Sequence, residues 1–64
     1  MTGTVKRIVK DKGFGFIQGE DEQEYFFHRS ALKNIKFEEL QEQQEVTFEE
    51  DEGAKWLRAE DIYV

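Results

Sequence analysis

Between residues 12 and 17 the chain reads Lys-Gly-Phe-Gly-Phe-Ile. Side chains along a β-strand alternate between its two faces. The run therefore sets Phe14 and Phe16 on one side with Lys12 and Gln18, and Gly13, Gly15, Ile17 and Gly19 on the other. Few folds accept such a strand. Either the two rings fill a core, or the glycine side turns into a space too tight for larger groups.

A second aromatic run, residues 24–29, sharpens the choice. Its alternation groups Glu24, Phe26 and His28 with Ser30, and Tyr25 and Phe27 with Arg29. Period alone leaves both faces open as the interior. A core on the Phe14 side would also enclose Lys12, Gln18, His28 and Ser30, each needing a polar partner in a very small volume. The other side offers Gly15, Ile17, Tyr25 and Phe27, to which Val5, Leu32, Leu40, Val46, Phe48, Ala59 and Ile62 add an apolar set. On that reading Phe14, Phe16 and Phe26 stand outward and forgo about 1.5–3 kcal/mol of burial per ring unless something covers them. A nucleobase is a natural cover, because stacking on an aromatic side chain contributes about 1–3 kcal/mol.

The remaining elements read as further strands and turns. Residues 4–10 are rich in β-branched side chains and residues 11–13 form a turn; residues 14–18 and 24–29 follow as strands, separated by a polar turn at residues 19–22. Residues 45–50 alternate, and a last strand ends at Val64. Residues 30–44 are ambiguous: Phe37-Glu38-Glu39-Leu40-Gln41-Glu42 has helical propensity, and a short helix or a long loop both fit. With 64 residues, no proline and no repeat, the expectation is one domain over residues 1–64, all-β, with about five short strands in an antiparallel, closed barrel whose closure removes exposed edges.

Cysteine is absent, which excludes disulfides, thiolate metal sites and a cysteine nucleophile. No apolar run approaches the ~18 residues of a membrane span, and the N-terminus lacks the apolar stretch of a signal peptide. A soluble cytoplasmic protein is expected. The net charge of −6 argues at first against a nucleic-acid partner, yet the charge is segregated. Residues 1–18 carry Lys6, Arg7, Lys10 and Lys12 against Asp11, whereas residues 19–24 and 49–52 are acidic. The acidic runs read as solvated loops.

At its two aromatic runs the chain resembles the cold-shock domain family. Residues 12–17 resemble the first ribonucleoprotein-type motif of that family, and Phe26-Phe27-His28-Arg29-Ser30 its second. Gly3-Thr4-Val5-Lys6, Phe37, Leu40, Val46-Thr47-Phe48, Gly53 and residues 59–62 fall at similar spacings, so the resemblance spans nearly the whole chain. RNA-recognition-motif domains carry a string like the first, but they need several elements upstream of it, and eleven residues cannot supply them. The resemblance implies an OB-type barrel that binds single-stranded RNA or DNA on an aromatic sheet face, as an RNA chaperone, with no enzymatic activity and no cofactor. It assigns Lys6 and Lys12 to phosphates, Phe14, Phe16, Phe26, His28 and Phe37 to base stacking, and Lys55 to a basic contact in the last turn.

Five departures accompany it. Arg7 and Ile8 stand where the family has platform aromatics on the first strand, and Arg29 replaces the platform aromatic after the histidine. Arginine can stack its guanidinium on a base and adds charge, so Arg7 and Arg29 are candidates for the same interface; the alternative is that each is merely solvated. Gln43 replaces a usual turn glycine. Trp56 is an added ring that either shields the core or lies at the rim of the platform.

Other chemistries fare worse. His28 and Ser30 lack an evident orienting acid, and the chain has little material for a substrate pocket, so no catalytic residue is assigned. The one histidine plus carboxylates shows no metal-ligand spacing. A second class stays open: a protein-interaction module on the same barrel with weak nucleic-acid affinity, docking a protein on the exposed rings. A monomer is expected. No small-molecule substrate and no membrane partner are expected.

Overall fold

The computed structural model describes residues 1–51 and 57–64. Gly53, Lys55 and Trp56 lie outside the described residues. Five strands, β1 Thr2–Val9, β2 Phe14–Gly19, β3 Glu24–His28, β4 Glu45–Asp51 and β5 Arg58–Tyr63, close into a barrel in the order β1-β2-β3-β5-β4. The barrel is mixed rather than purely antiparallel, because β3 pairs with β5 in parallel, Phe26 opposite Arg58. Parity requires this. Directions that alternate around a ring need an even number of strands, so closing five leaves one parallel seam. The expectation of an antiparallel closed barrel is corrected at that single junction.

Alternation decides the interior. Along β2 the even-numbered residues Phe14, Phe16 and Gln18 are half-buried, while Gly15, Ile17 and Gly19 are buried; along β3 Tyr25 and Phe27 are buried and His28 is exposed. The core comprises Val5, Ile17, Tyr25, Phe27, Phe37, Leu40, Val46, Phe48, Ala59 and Ile62. Leu32 packs against it partly buried. Gly15 sits where no side chain fits: a Cβ there would lie 2.5 Å from the Arg7 carbonyl oxygen and 2.8 Å from two ring carbons of Phe27. The glycine face of the 12–17 run thus lies against a ring.

The first strand carries a feature that period alone does not show. Val5 is opposite Ile17, but the next pair is Arg7 opposite Phe16, so a β-bulge at Lys6 inserts one extra residue. Downstream of the bulge Arg7 and Val9 share the face of Phe16 and Phe14, and Ile8 sits opposite Gly15 and packs against the core. The reading of Ile8 as a lost platform ring is therefore corrected. Its side chain belongs to the inward row.

Residues 30–44 hold no α-helix. They contain two single 3₁₀ turns, Arg29–Ala31 and Phe37–Glu39, the second closed by Leu40 N–H donating to the Phe37 carbonyl at 3.2 Å. A six-residue helical preference is too short to offset nucleation, and burial of Phe37 and Leu40 holds the tighter turn. Gln43 adopts φ 72°, where a non-glycine residue costs about 1 kcal/mol. Its N–H donates to the Val5 carbonyl at 2.7 Å, which ties the loop to β1 beside the bulge.

Among the described residues Tyr25 is the polar anchor of the core. Its ring is 1% exposed, and its hydroxyl lies 2.6 Å from Asp21 Oδ2 and 2.9 Å from Glu50 Oε2, joining the β2–β3 turn to β4. The hydrogen bond to Asp21, then burial, pushes the phenol well above its ordinary value, and the same bond holds the Asp21 carboxyl below its own. The signs are opposite. Folding favours the protonated phenol, a contribution present below about pH 10 and lost as pH rises through the folded value; the Asp21 contribution is present above the ordinary carboxylate range and lost as pH falls through its depressed value. Tyr25→Phe should therefore flatten the acid limb of the urea midpoint measured against pH. A limb as steep as that of the unsubstituted protein would refute the coupling.

Candidate nucleic-acid interface

Phe14 and Phe16 on β2 and Phe26 on β3 meet on the outer sheet face as a closed triangle. Centroid separations are 6.0 Å for Phe14–Phe16, 5.4 Å for Phe14–Phe26 and 6.0 Å for Phe16–Phe26, with interplanar angles of 87°, 40° and 67°. Such tilted and edge contacts stabilise ring pairs and hold them in place without a core around them. Register explains the cluster: Phe14 is opposite His28 and Phe16 opposite Phe26. The sheet itself presents the platform.

Cations border it. Arg7 stands beside Phe16 on the β1 side and is exposed. Lys12 is exposed in the β1–β2 turn, and Lys6 is exposed at the bulge. Arg29 begins the first 3₁₀ turn rather than continuing β3. Its N–H donates to the Gly13 carbonyl at 2.9 Å, and its Cδ lies 2.9 Å from where a Gly13 Cβ would be, with Gly13 at φ 75°. The stem is thus laid along the turn next to Phe14, leaving an exposed guanidinium at the platform's end.

His28 ends β3 with a defined polarity. Its Nδ1 accepts from the Ser30 backbone N–H at 3.2 Å and is 3.0 Å from Ser30 Oγ. A backbone donor on Nδ1 fixes the neutral ring as the tautomer with its proton on Nε2. His28 therefore offers a ring and an outward N–H donor.

One expected member is elsewhere. Phe37 is 6% exposed and belongs to the core, because the 3₁₀ turn that starts at Phe37 folds its ring over the barrel beside Leu40. It is not part of the outer triangle. One member was missed. Arg58 is the register partner of Phe26 across the parallel seam, so it borders the platform on the β5 side as Arg7 does on the β1 side. Its Nη2 lies 3.8 Å from Glu60 Oε1. Nothing near Arg58 in sequence signals this, since the pairing joins residues far apart in the chain; only a parallel closure next to the second aromatic run could have pointed to it.

The ring order also separates charge. With neighbours β1 and β5, β4 lies across the barrel from the β2–β3 pair, and its outward residues include Glu45 and Glu49, both exposed. The acidic strand faces away from the rings.

Comparison with known proteins now decides the family. The sequence model of the 'Cold-shock' DNA-binding domain matches residues 1–64. The chain belongs to the cold-shock domain family. Among relatives of this cold-shock domain, Cold shock protein 2 of Lactiplantibacillus plantarum is 45% identical over 60 residues, covering 94% of this chain and 91% of the relative. The Major cold shock protein of Streptococcus pyogenes is 43% identical over 60 residues, covering 94% and 90%. Cold shock protein CspC of Bacillus subtilis is 40% identical over 60 residues, covering 94% and 91%. The match spans both aromatic motifs. The chain is a nucleic-acid-binding protein of the cold-shock type on an OB-like barrel.

Proposed function

We propose that this cold-shock domain binds unpaired RNA or DNA by stacking successive bases on Phe14, Phe16, Phe26 and His28, with Arg7 and Arg29 extending the stack and Lys6 and Lys12 meeting phosphates. The closed outer triangle of rings carries the reading, since three aromatic side chains are held off the core where stacked bases would complete their burial. Lys55 and Trp56 are proposed as further partners of the strand from the sequence alone. Phe37 is left out, because a buried ring cannot take a base.

Capturing unpaired bases withdraws them from weak pairing, so a protein of this kind acts as an RNA chaperone by mass action, without making or breaking a covalent bond. The proposed working form is a cytoplasmic monomer. Among the described residues no helix is long and apolar enough to cross a membrane.

The test is an NMR titration with short, unstructured oligo-dT at several salt concentrations. Amide and ring shifts should concentrate at Arg7, Lys12, Phe14, Phe16, Phe26 and His28. Affinity should fall with a shallow salt slope, about −0.7 per phosphate neutralised. Shifts confined to β4, or none, would refute the assignment.

A further inference from the structure

The parallel seam between β3 and β5 is short. Phe26 pairs with Arg58, and the next junction between the two chain segments is the isolated bridge of Leu32 with Ile62, where Lys33 N–H donates to the Ile62 carbonyl at 2.9 Å. Between these points the 3₁₀ turn Arg29–Ala31 interrupts the strand pairing while staying in contact with β5. A cleft remains there. Its volume is about 100 Å³, and its walls include His28, Ser30, Lys33, Arg58, Glu60 and Asp61.

Two observations give this cleft a chemistry. The first is the set of cations. Lys33 and Arg58 line it with two cations beside His28. The second is how weakly the cations are held. Lys33 Nζ is 3.4 Å from Asp61 Oδ1 and Arg58 Nη2 is 3.8 Å from Glu60 Oε1, with all four side chains between 43% and 55% exposed. Exposed pairs of this kind contribute little to stability. Asp61 also sits at φ 49°, an unusual backbone for a non-glycine residue that aspartate tolerates better than most.

Resting on the single-strand reading above, we propose that the cleft is a phosphate site for the strand as it runs off the platform past His28. Arg58 and Lys33 exchange Glu60 and Asp61 for one phosphodiester. A guanidinium meets phosphate through two parallel N–H donors, a stronger arrangement than its single long approach to Glu60. The two carboxylates act as internal competitors, holding the cations in the free protein and lowering affinity. Because two acids offset two bases, the cleft carries no net charge and does not stand out as a basic patch.

The test measures binding of fluorescent oligo-dT across salt concentrations by the full chain and three double variants. Lys33→Gln with Arg58→Gln should weaken binding about tenfold and make the salt slope shallower by about 0.7, the change expected when one fewer phosphate is neutralised. Glu60→Gln with Asp61→Asn should tighten binding about threefold or more; asparagine accepts the same backbone at residue 61, so this variant keeps the fold. Glu45→Gln with Glu49→Gln, on the far strand, controls for net charge and should change affinity much less. Equal tightening in the control and the cleft pair would overturn the proposal. So would unchanged affinity and slope in the Lys33/Arg58 variant while Phe26→Ala still weakens binding, an outcome that leaves the platform reading intact. No binding by the unsubstituted protein would overturn both.

Discussion

Gly15→Ala should lower the thermal midpoint by about 12 °C or more. The added Cβ would sit 2.5 Å from the Arg7 carbonyl oxygen and 2.8 Å from Phe27 Cε1 and Cζ. Neither neighbour can retreat cheaply. The carbonyl belongs to the β1–β2 pairing, where Ile8 is opposite Gly15, and the Phe27 ring is 1% exposed in a filled core. Overpacking a well-packed interior costs about 1–3 kcal/mol and sometimes more, and the backbone clash puts this site at about 3 kcal/mol. A domain of this length has about 3–10 kcal/mol in total, at ~0.05–0.15 kcal/mol per residue. Each kcal/mol shifts the midpoint of so small a domain by about 4–8 °C. A calorimetric midpoint within a few degrees of the unsubstituted protein would show that the barrel relaxes around the methyl group.

Phe26→Ala should weaken oligo-dT binding by about 5- to 150-fold, the equivalent of 1–3 kcal/mol for removal of a stacking ring. Phe26 touches both other rings and stands between Phe16 on β2 and Arg58 on β5, so its removal opens the middle of the platform. Its half-buried position on the outer face leaves the core set unaltered. NMR dispersion should confirm a folded variant, which separates a missing stacking partner from a disrupted barrel. An unchanged dissociation constant in that folded variant would exclude the rings as the base-binding surface.

Comparing these residues with the sequence shows which features are local. The inward and outward rows of β2 and β3 were legible because strict period-two alternation over Phe14 to Gly19 and Glu24 to His28 leaves a wrong face with too many polar groups. The inward set that followed, from Val5 to Ile62, is the observed core apart from Leu32, which is partly buried, and Phe37, which was assigned elsewhere. Phe37 was misread because the side a ring takes after a 3₁₀ turn depends on what the turn packs against. Ile8 was misread because the bulge at Lys6 shifts the alternation by one residue, and a bulge is set by strand pairing. Arg58 was missed because it reaches the platform through a parallel seam between residues 32 positions apart. In each case the deciding neighbour is distant in the chain.

The placement of β4 across the barrel from the rings has a consequence for crowding on a transcript. On the stacking reading proposed above, a molecule docked through its aromatic side turns Glu45 and Glu49 toward the surrounding solution, where they repel a second polyanion. A copy acting alone would then coat one strand rather than bridge two. A long RNA dressed in such molecules would stay dispersed, its segments held apart by the outward carboxylates.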